Sequence, residues 1–83
     1  MKIIEFKSLP NYYVLEKSDI KNNTVRFTDD WDYNRWRDFV KAEGVHIVNS
    51  ETKEKFFRRI KNKCVYNNIA IITWFEEVDS EDD

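Results

Sequence analysis

The chain has 83 residues, 41% apolar and 36% charged, with a formal charge of −2. A single cysteine excludes an internal disulfide, a single glycine excludes a Gly-rich phosphate loop, and no uncharged apolar run approaches the ~18 residues of a membrane span. These features predict one soluble, cytoplasmic domain in a reducing setting, stabilised by its three Trp, four Tyr and six Phe.

Residues 2–8, KIIEFKS, are rich in β-branched and aromatic side chains and read as a first strand, closed by Leu9-Pro10. Asn11 is placed to cap a short helix, 12-YYVLEKSD-19, with Tyr12 and Leu15 facing inward. Asn22-Asn23 marks a turn, and 24-TVRFT-28 a short strand with Val25 and Phe27 opposite Thr24, Arg26 and Thr28. A second helix follows, capped by Thr28, Asp29 or Asp30. Tyr33, Trp36 and Val40 recur along it at helical spacing beside Phe39, and Gly44 is read as a left-handed C-terminal cap.

The remainder reads as strands. 45-VHIVN-49 and 54-EKFFRRIKN-62 flank the polar turn 50-SETK-53, and Asn67-Asn68 forms another turn. The run 69-IAIITWF-75 has the composition of a central strand buried on both faces. The fold class is α+β, with two short helices and five or six mostly antiparallel strands around an aromatic core.

Charge is unevenly placed. Residues 76–83, EEVDSEDD, hold six acidic groups and no basic one, so residues 1–75 carry 14 basic and 10 acidic side chains. Residues 53–63, KEKFFRRIKNK, hold six basic groups against one acidic. There, cations interleaved with Phe56 and Phe57 suit phosphate contacts and base stacking; the alternative is a solvated strand whose phenylalanines are core. The tail reads as a disordered, solubilising end, or as a shield over the basic surface.

Catalytic and metal constellations are sparse. One His and one Cys cannot build a structural zinc site. His46 reads as a strand residue, Cys64 as a small buried side chain, and 29-DDWD-32 as helix capping. Lys21, Thr24 and Arg26 form a more suggestive group. Arginine offers a planar fork to phosphate or a base edge, threonine a hydroxyl, and a desolvated lysine could activate that hydroxyl. The structural alternative is a solvated lysine and an arginine paired with Asp29 or Asp30.

The first strand closing at Leu9-Pro10, the short helix and then 18-SDIKNNTVRF-27 together resemble the signature of ASCH domains, small β-barrel-like relatives of RNA-binding PUA domains. That signature has a small or polar residue, lysine, threonine, a spacer and arginine. The segment 45-VHIVNSETKEKFFRRIKNKCVYNNIAIITW-74 is similar to the family's later part, and the whole is close in character to short ASCH-like proteins of bacteriophages and prophages. The resemblance implies a PUA-like barrel over residues 1–75 and a cleft near Lys21, Thr24 and Arg26 that takes RNA or a nucleotide. Arg58, Arg59 and Lys61 would extend its basic surface, with no cofactor required. Some ASCH-like proteins hydrolyse acylated nucleosides with a threonine nucleophile, a lysine and a glutamate, which gives Lys21 and Thr24 an alternative catalytic reading. The glutamate comes from a helical insertion that this chain lacks. A further alternative is a monomeric phage protein that binds a host protein through its acidic tail or its Trp31–Trp36 segment.

Overall fold

The computed structural model describes residues 1–76; the acidic tail, apart from Glu76, lies outside the described residues. The elements run β1 (Ile3–Ser8), α1 (Pro10–Lys17), β2 (Asn23–Phe27), α2 (Tyr33–Lys41), β3 (Gly44–Asn49), β4 (Lys55–Tyr66) and β5 (Ile69–Trp74). The five strands form one mixed sheet in the order β1-β3-β4-β5-β2. β1 pairs parallel with β3, and the other three pairings are antiparallel. The architecture is α+β, with β1 and β2 as the two edges.

Alternation along β1 sends Ile4, Phe6 and Ser8 inward. Their apolar members join Val45, Ile47, Phe56, Ala70, Ile72 and Trp74 in one core cluster. Each large apolar side chain buried there contributes about 1.5–3 kcal/mol. Phe39 from α2 completes the cluster, and Trp31 and Trp36 pack onto it, their rings 4.8 Å apart. The Trp31–Trp36 segment therefore spends its indoles on Phe39, and Trp31 also stacks on Phe6, so neither ring stands out as an interface anchor.

Several local expectations are corrected. Helix α1 begins two residues earlier than its sequence pattern predicts, because Pro10 is well suited to a first helical position, with Leu9 extended before it. The shifted start turns Tyr13 and Glu16 inward and leaves Tyr12 and Leu15 exposed. Asp32 caps α2, its Oδ1 accepting from the Arg35 amide at 2.8 Å, in place of Thr28, Asp29 or Asp30. Trp36 and Phe39 face the core, while Tyr33 and Val40 are exposed. The left-handed position after α1 is Asp19, at φ 64°, not the asparagines that follow.

Gly44 does not cap α2. It opens β3 without a positive φ, and a Cβ there would run into the Phe57 ring. The C-terminal carbonyls of α2 are satisfied by Lys63 instead, whose Nζ donates to Phe39, Val40 and Ala42 at 2.9, 2.7 and 2.8 Å. Strand β4 runs four residues past the expected end at Asn62, with a register shift between Ile60 and Asn62. The extension puts Cys64 on an exposed stretch rather than in the core. β5 buries one face fully and leaves the other half-buried.

Arg58 is the main departure on β4. Its side chain is buried, stacks on Phe56 at 4.7 Å, and donates through Nε to Asp19 Oδ1 at 3.2 Å and through Nη2 to the Lys17 carbonyl at 2.7 Å. The same Asp19 oxygen accepts from the indole of Trp74, which is 0% exposed. This tie fastens the end of α1 to β4 and β5 and holds Asp19 in its left-handed conformation. Breaking a buried pair of this kind leaves an uncompensated charge. Arg58→Met is expected to lower the unfolding free energy by about 3 kcal/mol, measured by urea unfolding followed through tryptophan fluorescence. Arg59→Ala, at the exposed neighbouring position, should stay within about 0.5 kcal/mol of the parent.

Candidate ligand-binding cleft

Strand β2 carries the site because its polar face points inward. Thr24 is 1% exposed and Thr28 is buried, whereas Val25 and Phe27 lie on the outer side. A polar inner face is tolerated only if its groups find partners. They do so across the gap to β1 and α1.

Arg26 spans that gap. Its Nη1 donates to the Lys7 carbonyl at 2.6 Å, its Nη2 to Ser8 Oγ at 2.8 Å, and its Nε to Thr24 Oγ1 at 2.9 Å. The guanidinium also lies over the Phe6 ring, with Arg35 over the same ring. Burial pulls Arg26 below the usual arginine range; Glu16 opposes that fall and Arg35 adds to it. Three of the five guanidinium N–H groups are engaged, which leaves two for a ligand.

Glu16 is the second organiser. It is 2% exposed, accepts from Ser8 Oγ at 2.8 Å through Oε1, and meets Lys21 Nζ at 3.3 Å through Oε2. Lys21 Nζ also donates to the Asn23 carbonyl at 2.6 Å. Neither of these two hydrogen bonds goes to the Thr24 hydroxyl. Lys21, Thr24 and Arg26 are thus brought together in one hydrogen-bonded chain with Ser8 and Glu16, and Arg26 is paired with neither Asp29 nor Asp30.

The chain forms the floor of a cleft of about 450 Å³, a size suited to a small ligand. Leu9, Tyr12, Val25 and Phe27 stand around its mouth, all exposed, and Lys7 adds a third cation. Arg26 also borders a second recess of about 590 Å³, shared with Phe6, Trp31 and Arg35.

The remaining basic residues separate. Arg58 is buried and paired with Asp19, and it lines the same cleft as its neighbours Arg59 and Lys61. Arg59 and Lys61 are exposed on the opposite side of β4, and both lie near the Phe75 ring, at 5.5 and 6.0 Å. They line a separate open cleft of about 760 Å³ with Asn22 and Phe57. His46 sits 3.9 Å from Glu5 and edge-on to Phe57, away from the first cleft. Ser8 and Glu16 were not anticipated as site residues. Pro10 carried the missing signal, since a helix started there puts Glu16 on the inward face with Tyr13. No protein-family model matches the chain, and neither does a curated protein or a solved structure.

Arg26→Lys can remake at most part of this fork. It is expected to cost about 2 kcal/mol, the scale of a charged hydrogen bond, in urea unfolding. It should also speed amide hydrogen exchange in β2 above that in the β4–β5 pairing.

Proposed function

We propose that the chain is a small ASCH-like, PUA-related module of phage or prophage origin that binds RNA or a nucleotide in the cleft over Lys21, Thr24 and Arg26. One observation carries this reading. A cationic, hydrogen-bonding floor and an aromatic rim, Tyr12 and Phe27, occupy the same cleft. Phosphate suits the two remaining N–H groups of Arg26 with Lys7 and Lys21, and a base suits the exposed rings of the rim. In this reading the sheet is the open form of a PUA-like barrel, drawn together at its edges by Arg26. Arg59 and Lys61 beside Phe75 give a longer strand a second anchorage.

Binding of mixed RNA oligomers, followed by fluorescence anisotropy, should weaken with salt. The slope of log K on log salt should be about −2 if Lys7, Lys21 and Arg26 each meet a phosphate. Lys7→Ala should flatten the slope by about 0.7 and leave the fold intact, since Lys7 is exposed. No binding at low salt would overturn the proposal.

Glu16 supports a second reading, because it supplies a carboxylate at Lys21 where an acylated-nucleoside amidohydrolase would need one. Thr24 Oγ1 would attack the amide carbonyl as a deprotonated Lys21 takes its proton and Arg26 holds the oxyanion; C–N cleavage would return that proton to the departing cytidine amine, and water would hydrolyse the acyl-threonine. Lys21 is bonded to Glu16 and Asn23 rather than to Thr24, and this, with the burial of Thr24, favours binding over this chemistry. Turnover of N-acylated cytidine that disappears in Thr24→Ala would reverse that preference.

A further inference from the structure

The outer face of β2, β5 and β4 is independent of the cleft floor and has an unusual composition. The pairing registers align its side chains in three rows across the strands: Asn23, Thr73 and Asn62; Val25, Ile71 and Cys64; Phe27, Ile69 and Tyr66. None of these nine side chains is buried, and Phe27 and Tyr66 are 68% and 72% exposed. The nine positions include no charged residue, although 36% of the chain is charged. Scattered exposed apolar residues are ordinary, but an ordered, uncharged array of six is not.

We propose that this face is the interface of a weak two-fold dimer between copies of this chain, a departure from the monomer expected from the sequence. The rows select the partner. A two-fold axis running along β5, midway between two facing sheets, keeps each row level with itself and exchanges β2 with β4. Phe27 then meets Tyr66 of the second copy, Ile69 meets Ile69, Ile71 meets Ile71, Val25 meets Cys64, and Asn23 meets Asn62. Aromatic lies on aromatic, aliphatic on aliphatic and amide on amide, as an isologous interface requires. The absence of charge removes the like-charge contacts that a two-fold axis would otherwise impose.

Size sets the strength. Three strands about 4.8 Å apart and five residues long at about 3.4 Å per residue cover a face of about 14 by 17 Å. Such a face falls short of the roughly 800 Å² per partner of a standard interface. Assembly is therefore concentration-dependent. Because Val25 and Phe27 also rim the cleft, the second copy would stand beside its mouth.

Sedimentation equilibrium from about 10 μM to about 1 mM, the range in which a sub-standard interface assembles, tests the proposal. The parent chain should shift from monomer toward dimer, and Tyr66→Lys should remain monomeric with an unchanged circular dichroism spectrum. Phe27→Lys mixed with Tyr66→Glu should recover dimer that neither forms alone, because those positions face each other only in the proposed register. Val25→Cys should oxidise to a covalent dimer through Cys64 of a second copy. Within one chain β5 separates the two positions by about two strand spacings, beyond disulfide reach. A parent chain that stays monomeric throughout the range, or a dimer indifferent to Tyr66→Lys, would overturn it.

Discussion

The structure depends on one side chain bridging two sheet edges. β1 and β2 have no backbone pairing with each other, and an open edge is a row of unmet donors and acceptors. Arg26 crosses from β2 to the Lys7 carbonyl and Ser8 while still holding Thr24 on its own strand. Its guanidinium rests on Phe6, so the bridge sits on the core rather than in open water. The clasp and the floor of the cleft are therefore the same group. Glu16 reaches this half-buried cation through Ser8 and passes the network on to Lys21, which explains why a helix of eight residues devotes one of its two buried positions to a carboxylate.

A second arginine does comparable work where α1 ends, and it borders the larger cleft. Arg58, Asp19 and Trp74 tie the end of α1 to β4 and β5. In sequence the two arginines look equally available, each alternating with aromatic or β-branched neighbours. They differ in what their partners leave over. Arg26 spends three donors and opens onto solvent, whereas Arg58 lies under α1 against a carboxylate.

The sequence conveyed the class and order of elements because strand alternation, Pro10, the SETK turn and Asn67-Asn68 are local signals. It conveyed Lys21, Thr24 and Arg26 as a group through their spacing. It failed where tertiary partners override local preference. Gly44 looked like a cap because glycine is the usual left-handed residue, yet close approach of the Phe57 ring is what requires it. Lys63 looked like one more cation of the basic run 53–63, yet it donates to α2 carbonyls contributed more than twenty residues earlier. Glu16 drew no attention in the sequence because a charged side chain is seldom buried without a partner, and its partners lie on β1 and beyond α1.

The β1–β3 pairing has a consequence for the order of events in the folding chain. β4 and β5 meet across a two-residue turn, but β1 must wait for β3, and it is joined there in parallel. The bonds that build the cleft link residues 18 and 19 positions apart across β1 and β2, and the Asp19–Trp74 bond spans 55. Loop entropy has to be met before such contacts give any return. The hairpin can exist early, but the cleft comes into being only when both edges have been set. A molecule bound there would consequently be linked to the equilibrium of the entire chain, and occupancy of the cleft would measure how much of the population is fully folded.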